Sequence, residues 1–152
     1  MKKLLTFLEQ SNAIEHEFSA VALLDAIDAW QYAVSHRSLT VDKLLGIHKR
    51  LAQHLRPDIA GTLRECQVYV GDHTPPQYYL LAPMLAGLFQ WVPKTEKECE
   101  QWHVEFEKIH PFEDFNGRTG RIIWNAQRLR LKLPLKIIHV GAEQREYYKL
   151  FL

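Results

Sequence analysis

Residues 110–121 read HPFEDFNGRTGR, and this stretch marks the junction of two helices. In the preceding residues 97–110, KECEQWHVEFEKIH, the apolar side chains of Trp102, Phe106 and Ile109 recur at helical spacing. A long, largely apolar run follows the quoted stretch. We therefore predict that one helix ends at about Ile109, that a loop spans residues 110–116, and that the next helix starts near Gly117.

The charges at the start of the second helix are unusual. Arg118 and Arg121 fall in its first turn, where free backbone N–H groups already carry partial positive charge. Two arginines are locally unfavourable there unless an anion binds between them. Because they are three residues apart, they share a helix face and can converge with the N–H groups on phosphate oxygens. The spacing indicates a phosphate-binding site.

Two further side chains of the same stretch extend this interpretation. Asp114, just before the arginines, supplies the type of oxygen ligand that Mg²⁺ prefers. His110 has the side chain best suited to accept a proton near neutral pH. Each residue alone also fits a plain helix stop, a turn or a solvated face. Their combination within twelve positions favours a magnesium–nucleotide site with an adjacent base, but does not identify the bond that breaks.

The remaining sequence predicts a mainly α fold. Helical periodicity begins near Leu4, resumes across residues 18–30, and follows Thr40, which we expect to be an N-cap. Residues 62–76 differ, because alternation around Tyr69 and a Gly-Asp turn predict a short β-hairpin or extended flap. No linker or repeat interrupts residues 1–152, which we interpret as a single domain.

Composition narrows the class of protein. The 152 residues include 19 basic and 18 acidic side chains, so the formal charge is +1. With charges so evenly balanced, the protein has no overall positive potential to attract nucleic acid or an anionic membrane, and we expect neither as a partner. The apolar run near the N-terminus lacks a signal-peptide cleavage pattern. We expect a cytoplasmic protein, although delivery into another cell by a secretion system would leave no trace of this kind.

The motif HPFEDFNGRTGR resembles the signature of Fic domain proteins, His-Pro-Phe-x-Asp/Glu-Gly-Asn-Gly-Arg-x-x-Arg. Every specified position agrees except Phe115, which stands where the family usually has glycine. Residues 64–76 are similar to the family's flap, and residues 103–112 to the helix leading into the motif. The resemblance implies a mainly α, single-domain Fic-type helical bundle with a small β-hairpin flap. It also implies transfer of AMP from ATP to a hydroxyl of a protein.

The resemblance also implies roles for individual residues. His110 would deprotonate the target hydroxyl, Asp114 would bind Mg²⁺ between the α- and β-phosphates, and Arg121 would hold the γ-phosphate. The anion hole would comprise Asn116, Gly117 and Arg118. The co-substrate would be ATP, and the partners would be a target protein and, as a further candidate acceptor, the chain itself.

The flap would dock the target. In this interpretation the target backbone adds as a strand beside residues 66–70, the mode of recognition in which an extended peptide pairs with an exposed edge. The flap residues assigned to docking are Gln67, Val68, Tyr69 and Val70.

Residues 11–16, SNAIEH, resemble the family's inhibitory motif, Ser/Thr-x-x-x-Glu-Gly/Asn. By this resemblance Glu15 would pair with Arg121 and block productive binding of the γ-phosphate. Ser11 lies one helical turn before Glu15 on the same face. The N-terminal segment 1–18 would then be an inhibitory helix acting within its own chain.

Phe115 leaves the chemistry open. A glycine permits positive φ and close approach of the backbone to phosphate, and a bulky aromatic side chain resists both. Either the loop is adjusted, or Phe115 packs outward with ordinary backbone angles. One alternative is a Fic-like transferase of phosphate or another phosphate-containing group. Another is a catalytically idle nucleotide-binding module.

Overall fold

The computed structural model describes residues 1–152 and is mainly helical, as the sequence predicts. Seven α-helices follow one another along the chain: α1 Lys2–Ile14, α2 Ala20–Val34, α3 Val41–Ala52, α4 Leu81–Phe89, α5 Glu96–Ile109, α6 Asn116–Arg130 and α7 Ala142–Tyr148. Short 3₁₀ turns cover Tyr78–Leu80 and Lys149–Phe151. None of these helices combines the length and apolar character that crossing a lipid bilayer requires.

Three helices begin at side-chain caps. The hydroxyls of Ser19, Thr40 and Thr95 each accept a hydrogen bond from the backbone N–H three residues later. Each cap satisfies one of the N–H groups that the first helical turn leaves free. The cap predicted at Thr40 is therefore confirmed.

Helix α6 runs through the centre of the molecule. Twelve of its 15 residues are buried, including polar ones. It packs against α5, where His103 of α5 stacks on Trp124 of α6 with ring centroids 4.6 Å apart. Helices α1, α2 and α3 pack against its other sides. A central helix of this kind places its first turn, the predicted phosphate site, where several elements meet.

The flap between α3 and α4 is a minimal version of the predicted hairpin or extended flap. Its β pairing is one isolated antiparallel bridge between Val70 and His73, closed across the turn at residues 71 and 72. Longer strands do not form, because two short strands alone are marginally stable, and Pro75 and Pro76 have no N–H to donate to a ladder. Arg64 holds the segment instead, donating hydrogen bonds to the carbonyls of Cys66 and Pro76.

Candidate active site

The loop between α5 and α6 is bounded by two residues in the left-handed conformation. His110 ends α5 with φ 50° and ψ 63°, and Phe115 precedes α6 with φ 67° and ψ 17°. The side chain of Asn116, the first residue of α6, bonds both backbone groups of Phe112 in the loop. Its Oδ1 accepts from the Phe112 N–H and its Nδ2 donates to the Phe112 C=O, each at 2.8 Å. Asn116 thus closes the loop into one compact shape.

Helix α3 supports the loop through His48, which is fully buried. Its Nδ1 accepts a hydrogen bond from the Gly61 N–H, so its Nε2 donates to the Asp114 carbonyl, each at 3.0 Å. Its ring stacks on Phe112 with centroids 3.7 Å apart. Burial lowers the pKa of His48 to about 4, so the ring is neutral at physiological pH. His48 therefore holds the loop with both of its ring nitrogens engaged in hydrogen bonds.

His110 lines a cavity at the end of α5. Burial lowers the pKa of His110 below its ordinary value, and the nearby Arg64 charge adds to the effect, whereas a hydrogen bond to the Glu107 carbonyl opposes it. The imidazole is consequently neutral near pH 7. A neutral imidazole has one ring nitrogen that can accept a proton.

Asp114 lies two residues before α6 and lines the cavity. Its Oδ1 accepts a hydrogen bond from the Phe115 N–H at 2.7 Å, while Oδ2 lies 3.8 Å from Arg56 Nη1. About half of the side chain is exposed. A single accessible carboxylate fits Mg²⁺, which usually binds one or two carboxylates and completes its coordination with phosphates and waters.

Arg121 reaches the cavity from the second turn of α6 and contacts α1. Its Nε donates to Ser11 Oγ at 2.9 Å, and its Nη2 donates to the Ser11 carbonyl at 3.0 Å and to Glu15 Oε1 at 2.9 Å. Gly117 makes room for this pair, because a Cβ there would lie 2.7 Å from Arg121 Nη1 and 3.0 Å from Glu15 Oε1. The predicted pair of Glu15 and Arg121 is thus present, through one carboxylate oxygen.

Arg118 has different surroundings. Its guanidinium carbon lies 3.6 Å from the centre of the Phe115 ring, and its Nη2 is 3.7 Å from Asp114 Oδ1. The side chain is buried, and Arg118 is not among the residues that line the cavity. Of the two predicted phosphate-binding arginines, Arg121 therefore faces the cavity and Arg118 lies behind the Phe115 ring.

The cavity has a volume of about 380 Å³ and gathers most of the predicted site. The predicted residues that line it are Glu15, Val70, His110, Asp114, Asn116, Gly117 and Arg121. Those outside its lining are Ser11, Gln67, Val68, Tyr69 and Arg118. The structure therefore joins the loop, the first turns of α6, the end of α1 and the tip of the flap around one space.

Tyr147 and Glu107 are among the eight residues of the cavity wall that the sequence did not assign to the site. Tyr147 of α7 accepts a long hydrogen bond of 3.5 Å from Arg121 Nη1, and Glu107 of α5 has a buried Oε1 without a hydrogen-bond partner. Burial raises the pKa of Glu107 to about 7. Gly120 was the available signal, since any Cβ there would overlap Glu107 Oε1, and a glycine within a helix indicates close packing.

Comparisons with known proteins place this arrangement in a family. The sequence model described as Fic/DOC family matches residues 38–127, more than half of the chain. The chain belongs to the Fic/DOC family. Its match to the protein adenylyltransferase Fic of Nematostella vectensis is 34% identical over 119 residues, which is 74% of this chain and 28% of that protein. For the protein adenylyltransferase fic-1 of Caenorhabditis briggsae the identity is 33%, covering 74% of this chain and 24% of the relative.

Solved Fic structures share the fold. A Fic domain containing signaling protein from Bacteroides thetaiotaomicron superposes with a TM-score of 0.82 at 18% identity, covering 98% of this chain and 70% of that one. Fic-1 from C. elegans gives a TM-score of 0.78 at 20% identity, covering 96% of this chain and 54% of that one. The chain spans about a quarter of the length of the curated Fic relatives it matches.

Proposed function

We propose that this protein is a protein adenylyltransferase, which transfers AMP from ATP to a hydroxyl side chain of a target protein. Family membership and the names of the curated relatives support the proposal. The observation that carries it is the single cavity in which His110 stands beside the start of α6 and the Arg121 guanidinium. A base next to an anion-binding helix end is the minimum that nucleotidyl transfer requires.

In the proposed reaction His110 accepts the proton of the target hydroxyl. The oxygen then attacks the α-phosphorus, a phosphodiester forms between the target and AMP, and pyrophosphate leaves. The proton remains on His110 until it passes to solvent. Burial favours this role, because it lowers the pKa of His110 and keeps the ring neutral before the reaction.

The phosphates are held by the start of α6 and by Arg121. The first turn of a helix leaves N–H groups without intrahelical partners, and here those of Asn116 and Gly117 belong to residues of the cavity wall. Asp114 would hold Mg²⁺, which, when bound, neutralises charge on the phosphates. Positioning and charge stabilisation of this kind account for most of the catalysis in phosphoryl transfer.

The flap offers an edge for the target. Tyr69 is 75% exposed, and residues 67–70 belong to no strand and make only the Val70–His73 bridge. A target segment that pairs with this edge would bring its hydroxyl towards His110, since Val70 borders the same cavity. Gln67 contributes indirectly, because its Nε2 donates to the carbonyls of Val68 and Pro75 and stiffens the flap.

Glu15 would act as an intramolecular inhibitor. Its carboxylate occupies the Arg121 guanidinium, to which the γ-phosphate would otherwise bind. Two anions compete for one cation, so ATP would bind productively only after Glu15 withdraws. This regulation is part of the proposal, and the pair at 2.9 Å supports it.

The test is intact-mass spectrometry of the Glu15→Gly variant incubated with ATP, Mg²⁺ and a cell lysate. We expect an AMP-sized gain on a lysate protein or on the variant itself. A phosphate-sized gain would replace the proposal with kinase-like chemistry, and no adduct with any nucleotide would favour the idle binding module. The matched control is Glu15→Gly combined with His110→Ala, which should give no adduct.

A further inference from the structure

The base of the flap is tied to the predicted active-site loop by one buried side chain. Arg64 is 2% exposed and donates hydrogen bonds to the carbonyls of Cys66 and Pro76, which lie on the two arms of the flap. Its Nε also donates to the His110 carbonyl at 2.8 Å. The base of the flap is therefore fixed relative to the loop that begins at His110.

The tip of the flap has a single hydrogen bond to the helices. His73 Nε2 lies 2.8 Å from the Lys108 carbonyl of α5, and since a carbonyl only accepts, Nε2 carries the proton and donates. The other hydrogen bonds of residues 68–74 stay within the flap, through Gln67 Nε2 and the bridge at Val70. His73 is thus the residue that connects the tip to the helical core.

The acceptor of this bond is a carbonyl that the helix leaves free. The last four carbonyls of an α-helix have no intrahelical partner, and Lys108 is the penultimate residue of α5. A histidine side chain near a helix C-terminus can satisfy such a carbonyl. Lys108 also lies only two residues before His110. The contact therefore fixes the tip beside the residue proposed as the base.

The turn at the tip provides little restraint of its own. Gly71 in this turn has φ 55°, and a Cβ built on it would have no neighbour within 4 Å. Two short paired segments without further strands are only marginally stable. Nevertheless Val70 and His73 line the same cavity as His110. A side chain that fixes the tip consequently fixes one wall of that cavity.

We propose that His73 is a positioning residue, which holds the flap tip against α5 and so sets where a bound target segment lies relative to His110. This inference rests on the proposed function, in which the target pairs with residues 67–70. A tip that is already held in place loses less conformational entropy when the target binds than a mobile tip does. His73 thereby strengthens binding of the target protein and is not required for binding of ATP.

The experiment titrates the target protein and ATP separately. The probe is the lysate protein that the Glu15→Gly protein modifies, purified after its AMP-sized gain in mass identifies it. His73→Asn in that background should raise the target concentration for half-maximal rate about 2- to 10-fold, as expected for one lost hydrogen bond. The half-maximal ATP concentration should not change. A purely structural role would lower the amount of folded protein, and hence the maximal rate, without changing either concentration.

The matched control is His73→Gln. Both replacements end in an amide, but the amide nitrogen of glutamine lies near the place of the histidine Nε2, whereas that of asparagine lies near the place of Nδ1. Glutamine should therefore keep the bond to Lys108 and restore most of the target affinity. Hydrogen exchange gives a second measurement, without target or nucleotide. The Val70 amide, which donates across the bridge to the carbonyl of residue 73, should exchange faster in His73→Asn than in His73→Gln.

Three results would overturn the inference while leaving the proposed function in place. In the first, His73→Asn has the half-maximal target concentration of its parent. In the second, the half-maximal ATP concentration rises as much as that of the target, or glutamine causes as large a loss as asparagine. In the third, the Val70 amide exchanges equally fast in the two variants. A Glu15→Gly parent that modifies no lysate protein is a different result, which removes the proposed function and this inference with it.

Discussion

At the scale of single residues, the loop stores strain at its two ends. His110 and Phe115 both have positive φ, although neither is glycine, and each costs about 1–3 kcal/mol. The loop keeps these angles because hydrogen bonds from three neighbouring side chains fix its backbone. Asn116 closes it from within, His48 holds the Asp114 carbonyl, and Arg64 donates to the His110 carbonyl at 2.8 Å. The result is a rigid loop that fixes the position of the His110 ring.

Replacing His110 by alanine should separate chemistry from binding. The imidazole would touch the acceptor hydroxyl, whereas ATP affinity would come from the start of α6 and from Arg121. We expect His110→Ala in the Glu15→Gly background to lose at least about 10²–10⁴-fold in transfer rate. The ATP dissociation constant, measured by titration, should stay within about threefold of the parent. Transfer at the parental rate would show that His110 is not the base.

The pH dependence of transfer should report the same histidine. The base works in its neutral form, so activity falls as pH drops through the pKa of His110, which burial places below the ordinary 6.5. We expect the acidic limb of kcat/KM to have its midpoint below pH 6.5. The profile is measured with Glu15→Gly, while ATP titrations over the same range serve as the control. A midpoint clearly above 6.5 would contradict the assignment.

At the scale of elements, the sequence was most informative about helices. Apolar residues at helical spacing and the Thr40 cap predict helices that the structure contains, and the quoted motif predicts the junction of α5 and α6 to within one residue. These signals are local. The flap contains only one bridged pair of residues, because alternation in the sequence does not supply the neighbouring strands on which longer pairing depends. The left-handed conformation of Phe115 was not predicted either, because the loop is held by contacts with His48 of α3, which is distant in sequence.

The contact between α1 and α6 yields a test of inhibition. Glu15→Gly removes a charge-assisted hydrogen bond to Arg121, which is worth roughly 1–2 kcal/mol for a partly exposed carboxylate. The competent state should therefore become about 5- to 30-fold more populated, with an equal rise in the initial rate of modification. The rate is followed by mass spectrometry.

Ser11→Ala is the matched control for that test. It removes one hydrogen bond to Arg121 Nε but leaves the Ser11 carbonyl and Glu15 in place, so its rise in rate should be smaller. Adding Arg121→Ala to Glu15→Gly should abolish the gain, because the grip on the phosphate is lost as well. If Glu15→Gly modifies its target at the parental rate while His110 is still essential, α1 has a structural role only and does not inhibit the reaction.

At the scale of the whole molecule, a buried polar cluster joins the site to three helices. His103 of α5 shares a hydrogen bond of 2.8 Å with the Tyr147 hydroxyl of α7, and Arg121 of α6 contacts the same hydroxyl. Burial lowers the pKa of His103 to about 3, so the cluster is not charged through this histidine. Periodicity in the sequence predicts which faces are buried. It does not predict which polar groups meet between helices, and Glu107 and Tyr147 therefore emerged only from the structure.

Glu107 makes the stability of the whole fold depend on pH. Burial raises its pKa from 4.5 to about 7, with Arg121 opposing the shift and Glu15 adding to it. Between these two values the folded state keeps a proton that the unfolded state has lost. The contribution of Glu107 to stability is therefore fully present below pH 4.5 and is lost as pH rises to about 7. Glutamine imitates the protonated acid at every pH.

Glu107→Gln should accordingly gain stability relative to the parent as pH rises from about 4.5 to 7, by on the order of 3 kcal/mol, and then level off. Urea unfolding at a series of pH values measures this, and taking the difference between the two proteins cancels the titrations they share. Glu105→Gln, the same change at an exposed position of α5, should alter stability less than Glu107→Gln at every pH above 7. Parallel pH profiles for Glu107→Gln and its parent would mean that Glu107 is ionised throughout, paired with Arg121. In that case Arg121 would face two carboxylates in the inhibited state, and the withdrawal of Glu15 alone would not free it for the γ-phosphate.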